Sequence, residues 1–354
     1  MARLSEKVIS ETLAAIKATK GNRTKAAQLL GMSRRGFGHR LHLINKQRPG
    51  PDQTFREEDD NLELPDLPAE DDISAEEILD HLENTFEKRK QYNDARHWIT
   101  IKLKRNEPIA INWFGDPHLG SNSCDYARIR EHTRIVSETK NMYGANIGDV
   151  ADNWPWGGRL LQLYADMTAN KARERALAKW FLEEAGIKWL IWLEGNHDRM
   201  DPGFVTYLRT VNANRIPMID WRARFKVEFP NGQTFKIDSS HDHKGHSMWH
   251  NLHGQIRASL SGAAICDLYI AGHRHCWAYA MNEMPDGEIV HLARCRGYKF
   301  YDDHAVHHGY HDQQQGCSIV TILDPTTTIP TERLRVFADT AAGADYLNYL
   351  LQKG

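Results

Sequence analysis

The pattern of apolar and polar positions divides the chain into three segments, of which the first is helical. Between residues 5 and 43, apolar side chains recur at helical spacing in three short runs. Gly21 and Gly31 end the first two runs, and Ser33 is placed to cap the third. Three short helices with glycine-containing turns and a basic third helix are typical of a helix-turn-helix. The pattern therefore predicts a small all-α domain over residues 1–45.

A polar linker and a connecting helix form the second segment. Residues 46–72 are rich in proline and acidic residues and contain few large apolar side chains, so we predict an extended acidic linker. A helical pattern follows over residues 73–97, where Ser74 and Glu77 form a capping-box pattern. The apolar residues that recur on one face of this helix are Ile78, Leu82 and Phe86. We expect that face to pack on the domain that follows.

The third segment begins near residue 98, where short apolar strands alternate with helical patterns and later give way to strands. The predicted strands are 109–114, 144–147, 188–193, 225–229, 234–238, 267–271, 288–293 and 317–323. The predicted helices are 125–140, 158–185 and 250–262. This order is typical of a layered α/β domain with sheets inside and helices outside. We place the domain at residues 98–330 and a C-terminal extension at 331–354.

Charge is distributed unevenly along the chain, although its net charge at pH 7 is only −2. Residues 1–50 contain eleven Lys and Arg against two Asp and Glu. Residues 51–87 contain one Arg against fifteen Asp and Glu. Because the basic segment coincides with the predicted helix-turn-helix, it favours a nucleic-acid partner.

The overall composition, 41% hydrophobic and 26% charged, is that of a globular protein. No apolar run approaches the roughly 18 residues of a membrane span, and the N-terminus has no hydrophobic signal region. The five cysteines form no CxxC pair and are predicted to be reduced thiols. These features predict a cytoplasmic protein with no membrane partner.

The helical segment also resembles a known family. The stretch KGNRTKAAQLLGMSRRGF, residues 20–37, is closely similar to the Fis-type helix-turn-helix. The resemblance implies DNA binding, and we expect the contacts to come from Lys25, Arg34, Arg35 and Arg40. An alternative is that this unit only joins two copies of the protein in a homodimer.

The candidate chemistry is concentrated where predicted strands end. Five strands lead into Asp, Asn or His side chains, mostly beside a glycine. In chain order these sets are Asp116 and His118; Asp149, Asp152 and Asn153; Asn196, His197 and Asp198; His241, His243 and His246; His273 and His275. Because the carboxyl ends of strands in one sheet meet at one edge, we expect the sets to converge. Mixed donors of this kind suit Mn, Fe, Zn or Ni more than Ca or Mg, and their number predicts two ions.

The order Asp-x-His, Gly-Asp-x-x-Asp, Gly-Asn-His-Asp, His, Gly-His-x-His resembles the calcineurin-like metallophosphoesterase superfamily, over roughly residues 108–323. The resemblance implies a β-sandwich flanked by helices and two divalent ions, with Mn²⁺ expected. It assigns one ion to Asp116, His118 and His275, and the other to Asn196, His241 and His273, with Asp149 bridging both. It also implies that His197 faces the scissile phosphate as general acid or phosphate stabiliser. We expect Asp198 to orient the His197 ring.

Three points stay open at the level of sequence. The ligand of the fourth set is His241, which lies nearest the strand end, or else His243 or His246. Trp154 and Trp156 either stack a base near the site or pack beneath its loop. A further histidine cluster is predicted to be fortuitous rather than a third metal site; it consists of His304, His307, His308 and His311.

The function predicted from these features is a dinuclear, metal-dependent phosphodiesterase or nuclease that acts on DNA. The combination resembles bacterial or phage DNA-processing phosphoesterases, which implies a bacterial or phage-infected cell. One alternative is a phosphatase or cyclic-nucleotide phosphodiesterase whose helix-turn-helix serves in dimerisation. Another is a DNA-binding regulator with a vestigial metal site.

Overall fold

The computed structural model of the protein divides the chain into two units, Met1–Asp80 and His81–Gly354, and each is described by itself. The residues that it describes are 4–47, 75–95, 98–154, 170–247, 249–261, 265–300 and 318–353. Most of the predicted linker lies outside these ranges. So do Ser74 of the predicted capping box, Trp156 and the histidine cluster over 304–311.

The first unit contains the three short helices that the sequence predicts. They are α1 (Glu6–Ala18), α2 (Arg23–Leu29) and α3 (Arg34–Gln47). Gly21 and Gly31 adopt positive φ angles after the first two helices, and the Ser33 hydroxyl accepts the Gly36 N–H at 3.1 Å at the start of the third. The helices enclose a small core that includes Ile16 and Phe37, both buried. The predicted helix-turn-helix is confirmed.

The connecting helix α4 (Ala75–Ala95) forms where the sequence predicts it, but its apolar face is not buried. Ile78, Leu82 and Phe86 are 47%, 56% and 63% exposed. The expectation that this face packs on the following domain is therefore wrong. Helical spacing predicts an amphipathic helix, and it does not specify what covers the apolar face.

The second unit is built on two mixed six-stranded sheets. The sheet that we call the β2 sheet has the order β12-β11-β2-β3-β4-β5, and the β7 sheet has the order β1-β6-β7-β8-β10-β9. The strands are β1 (Ile99–Lys102), β2 (Ile109–Phe114), β3 (Met142–Asn146), β4 (Trp189–Glu194), β5 (Met218–Asp220), β6 (Arg222–Glu228), β7 (Thr234–Ser240), β8 (Leu268–Ala271), β9 (Ala278–Glu283), β10 (Ile289–Arg294), β11 (Ser318–Leu323) and β12 (Leu334–Phe337).

Helices connect the strands and cover the sheets. They are α5 (Tyr126–Glu138), α6 (Lys171–Lys179), a π-helical turn (Trp180–Glu184), α7 (Asn196–Met200), α8 (Pro202–Asn212), α9 (His253–Ser261), α10 (Pro330–Arg333) and α11 (Thr340–Lys353). Among the described residues, no helix combines the length and apolar character needed to cross a bilayer.

The two sheets share one apolar core. Trp113 on β2 and Phe225 on β6 are both fully buried, with ring centroids 6.2 Å apart. Ile191 on β4 and Ile237 on β7 belong to the same cluster. On its other face the β2 sheet packs against helices through a second cluster that includes Phe114. The predicted α/β class, with a small all-α helix-turn-helix unit, is confirmed.

The C-terminal residues are integrated into this fold. β12 pairs with β11 in the antiparallel sense and forms one edge of the β2 sheet. Leu347 on α11 is fully buried in the helix-covered core of the same sheet. The segment predicted as an extension therefore contributes a strand and a helix to the second unit.

Candidate metal centre

The site lies where five strands end, and both sheets contribute to it. β2, β3 and β4 are neighbouring parallel strands of the β2 sheet, and their carboxyl ends lead to Asp116, Asp149 and Asn196. β7 and β8 are parallel neighbours in the other sheet and lead to His241 and His273. Parallel pairing brings the carboxyl ends of these strands to one edge of each sheet, as expected from the sequence.

The backbone of the site is bent sharply at the ligand positions. Five candidate ligands have positive φ angles: Asp116 (44°), His118 (47°), Asp149 (53°), His273 (67°) and His275 (48°). Non-glycine residues rarely adopt this conformation, and residues held in it cluster at functional sites. The strained turns direct these side chains towards one another.

The first group of donors consists of Asp116, His118 and His275, whose ligand atoms lie within 4.8 Å of one another. The Nε2 atoms of His118 and His275 are 3.1 Å apart. His118 Nδ1 lies 2.9 Å from a carboxylate oxygen of Asp152, so the ring donates its Nδ1 proton there and keeps Nε2 unprotonated. A carboxylate behind a histidine in this way is the usual support of a metal-binding imidazole.

The second group is centred on Nε2 of His241. That atom lies 2.9 Å from Asn196 Oδ1, 3.1 Å from His273 Nδ1 and 3.2 Å from Asp149 Oδ2. His241 Nδ1 lies 2.9 Å from the carbonyl oxygen of Ile147, to which it donates. The structure thus brings together all seven residues that the sequence predicts as ligands, and of the fourth set it places His241 in this group.

Burial sets the electrostatics of the first group. Asp116 is fully buried, and burial raises its pKa to about 7. Burial also holds the pKa of His118 well below its usual range and lowers that of His275 to about 4. Asp116 Oδ1 has no hydrogen-bond partner among the described residues. A buried carboxylate oxygen without a donor, beside two neutral imidazoles, fits a divalent cation, which would favour the ionised carboxylate.

The second group carries charge of its own. Burial disfavours protonation of His241, but the carboxylate of Asp149 outweighs it and raises the pKa of His241 to about 10. Burial lowers the pKa of His273 to about 4. The close packing of a carboxylate with imidazole nitrogens is the donor chemistry that borderline divalent metals prefer.

Glycines allow the two halves of the site to approach. A Cβ atom at Gly272 would lie 2.5 Å from Asp116 Oδ2, and one at Gly195 would overlap Asp149 Oδ1. In this arrangement the backbone N–H of His273 donates to Asp116 Oδ2 at 2.7 Å. The glycines of the sequence motifs are therefore required by close contact with the ligand carboxylates.

His197 lies at the site, but the group that orients its ring is not the Asp198 carboxylate that the sequence predicts. Its ring centroid is 4.7 Å from that of His118, and its Nδ1 lies 2.6 Å from the backbone carbonyl oxygen of Asp152. The expectation that Asp198 orients this ring is wrong. The buried Asp198 carboxylate instead accepts backbone N–H groups of Gly195, Asp149 and Val150 at 2.8–2.9 Å. Asp198 thus holds the loops that carry the ligands.

Lys299 is a site residue that the sequence analysis missed. Its side chain is 7% exposed, and its ammonium group donates to Asp152 Oδ1 at 2.9 Å and lies 5.5 Å from the ring centroid of Trp154. Trp154 is 9% exposed and packs edge-on against His197. Trp154 therefore packs beneath the loop, which is one of the two alternatives that the sequence leaves open for it. No local pattern marks Lys299, because the fold alone brings it near Asp152.

The other histidines of the fourth set lie away from the two groups. His243 is buried, and its Nε2 lies 3.3 Å from Asp238 Oδ1. His246 contacts the guanidinium of Arg274. Both side chains support the loop after β7.

The expected DNA contacts lie in the first unit. Arg34 and Arg35 are exposed at the start of α3, Lys25 is exposed on α2, and Arg40 is half-buried. Exposure at the start of the third helix is what contact with phosphates or base edges requires.

Comparison with known proteins finds a family model that matches part of the first unit. Residues 11–42 match the family model described as "Bacterial regulatory protein, Fis family". This region is therefore a Fis-type helix-turn-helix, which supports DNA as a partner. No curated protein matches the chain.

Proposed function

We propose that the second unit is a phosphodiesterase that uses two divalent cations and that the helix-turn-helix directs it to DNA, which makes the protein a DNA nuclease. The observation that supports this most directly is the convergence of seven predicted ligands in two adjacent groups. The motif order that resembles the calcineurin-like metallophosphoesterase superfamily, and the two sheets that share a core, are consistent with it.

The residues present fit two cations. Asp116, His118 and His275 would hold one, Asn196, His241 and His273 the other, and Asp149 would serve both. Mn²⁺ is the proposed metal because carboxylate, amide and imidazole donors occur together. When bound, two such cations polarise a phosphoryl group and lower the pKa of a nearby water.

The chain itself supplies the remaining chemistry. Hydrolysis of a phosphodiester forms one P–O bond from water and breaks the P–O bond to the leaving oxygen, which must gain a proton. His197 hydrogen-bonds through its Nδ1–H to the Asp152 carbonyl, so in the imidazolium form the second proton, on Nε2, would pass to the leaving oxygen and leave the ring neutral. His118 keeps its ring fixed through the Asp152 carboxylate, which Lys299 also contacts.

The test is hydrolysis of bis-p-nitrophenyl phosphate, p-nitrophenyl phosphate and single- and double-stranded DNA by the full chain, with Mn²⁺ or with excess chelator. We expect the diesters to be cleaved in the presence of Mn²⁺ and not in the presence of excess chelator. Asp149→Asn should lose most activity, because this carboxylate serves both groups, whereas the exposed turn variant Asp286→Asn should keep it. Activity in chelator, or full activity of Asp149→Asn, contradicts the two-cation mechanism. A preference for the monoester supports a phosphatase instead.

A further inference from the structure

Trp221 has an unusual position beside the candidate metal centre. It links β5 to β6 with a positive φ of 56° and is 37% exposed. Its ring centroid lies 5.0 Å from that of His241 and 6.2 Å from that of His273. A bulky residue with positive φ is a true conformational outlier, and such residues concentrate at ligand sites.

The indole is held in a fixed orientation. The backbone N–H of Trp221 donates to the Glu194 carbonyl at 3.2 Å, and its carbonyl accepts the His241 N–H at 2.7 Å. The ring Nε1 donates to the Asp242 carbonyl at 3.1 Å. A half-exposed aromatic ring with its only polar atom already paired offers a rigid apolar surface.

The arginines paired with Asp220, which precedes Trp221, and with Asp242, whose carbonyl accepts the indole N–H, already have carboxylate partners. Arg199 is paired with Asp220, and Arg274 is paired with Asp242. A ligand group next to Trp221 is therefore selected by aromatic contact more than by charge. Every nucleobase has a face suited to such a contact.

We infer that Trp221 stacks an unpaired nucleobase of the nucleotide whose phosphate would bind the cation held by the second donor group. This rests on the proposed function and narrows its substrate class. A phosphate held beside His241 and His273 carries its nucleoside to the vicinity of the indole. A base inside an intact duplex is already stacked on its neighbours, so the substrate class is single-stranded DNA or a frayed end.

The first experiment measures kcat/KM on dinucleoside phosphates with Mn²⁺. The substrates are d(ApA) and two analogues in which a tetrahydrofuran abasic residue replaces the 5′ or the 3′ nucleoside. We expect the kcat/KM of the wild type to be about tenfold lower on one of the two analogues than on d(ApA), since stacking on an aromatic side chain contributes about that factor. Trp221→Leu should lose about tenfold on d(ApA) and no longer discriminate that analogue, and Trp221→Phe should fall between them.

The control is Trp249→Leu, which removes the indole of a tryptophan that is 91% exposed and should leave all three rates unchanged. Thermal unfolding of each variant reports whether it is folded. The inference is overturned if Trp221→Leu is folded and cleaves d(ApA) with the kcat/KM of the wild type. It is also overturned if the kcat/KM of the folded variant falls by the same factor on all three substrates.

A second experiment does not depend on turnover. Calorimetric titration with dAMP and with deoxyribose 5-phosphate, in the presence of Mn²⁺, compares a nucleotide with and without its base. We expect the wild type to bind dAMP about tenfold more tightly and Trp221→Phe to retain part of that preference, with Trp221→Leu losing it. If no diester is cleaved but this preference is present, the proposed function fails and the base site remains. Equal affinities in the wild type overturn the base site alone.

Discussion

His197 and His118 are adjacent imidazoles that differ in what they can do. Both donate Nδ1 protons to Asp152, His118 to the carboxylate and His197 to the backbone carbonyl. Only His118 has its Nε2 directed at another ligand nitrogen, 3.1 Å away on His275. This difference is consistent with the proposed roles, a metal ligand for His118 and a general acid for His197.

His197→Ala should therefore keep both cations and lose on the order of 10²-fold or more in rate, as expected for a missing general acid. Elemental analysis of the purified variant measures metal content, and hydrolysis of bis-p-nitrophenyl phosphate measures the rate. His81→Ala, on the exposed face of α4, is the matched control. Loss of a metal from His197→Ala would show that His197 is a ligand.

A second prediction at the residue scale concerns His132, which lies outside the metal centre. Burial lowers its pKa to about 4, and its Nδ1 lies 2.8 Å from the Tyr298 hydroxyl. The unfolded chain, with a pKa of about 6.5, therefore binds the proton more readily than the folded one. Stability should fall as the pH falls from about 6.5 to 4, by about 2 kcal/mol between pH 7.5 and 5 from this residue.

Urea unfolding at the two pH values measures this effect. His132→Gln should show a pH dependence smaller by about that amount, because glutamine has no proton to gain. His250→Gln, at an exposed position, should behave as the wild type. An unchanged pH dependence in His132→Gln would contradict the assignment.

The residue scale also shows what a sequence can reveal about a site. The convergence of the seven proposed ligands is predictable because each follows an apolar strand and most lie beside a glycine. Asp198 is not, because its partners are backbone N–H groups, which every residue offers and no motif marks. Lys299 reaches the site from far along the chain, and Trp221 reaches it from a turn between two strands that carries no motif.

At the scale of elements, the eight predicted strands all form, with ends shifted by at most three residues. β2, β4, β8 and β11 are predictable because buried strands consist of nearly continuous apolar residues, and β6 is predictable because its apolar and polar residues alternate. The structure adds β1, β5, β9 and β12, which the sequence analysis did not identify. β9 is half exposed, β5 has three residues, and β1 and β12 are edge strands, so their patterns are short or mixed.

The third helix of the first unit is the element that the proposed DNA contact depends on. Replacing Arg34 and Arg35 with Ala should weaken DNA binding and reduce the slope of log affinity against log salt by about 2, if both contact phosphates. Turnover of bis-p-nitrophenyl phosphate should not change. A salt-titrated binding assay tests this, and replacing Arg89 and Lys90 on α4 with Ala removes the same charge as a control.

The alternative for this element is dimerisation, and it predicts a different result. Deletion of residues 1–72 would then halve the mass found by native mass measurement, while the salt-dependent DNA affinity would stay as in the wild type. The arginines are exposed rather than packed in the small core around Phe37, which favours contact with DNA.

At the scale of the whole molecule, the candidate metal centre joins two sheets that are otherwise separate hydrogen-bonded structures. Its ligands follow β2, β3 and β4 of one sheet and β7 and β8 of the other. Between the sheets, apart from the site, the described residues form a mainly apolar core. Cations that bind both sets of ligands would therefore act as a cross-link.

If so, removal of the cations by a chelator should lower the stability of the second unit as well as abolish the proposed activity. A ligand present at about 100 times its Kd stabilises the folded state by about 2.7 kcal/mol, so thermal unfolding should shift to lower temperature when Mn²⁺ is replaced by chelator. The unfolding temperature of Asp149→Asn should change little on chelation, because this variant lacks the carboxylate that serves both groups. The unfolding temperature of Asp286→Asn should fall as that of the wild type does. Amide exchange in chelator should accelerate first at the loops after the five strands. A cell that withholds the metal would then face a protein that is easier to degrade, so metal supply would set the lifetime of this molecule as well as its rate.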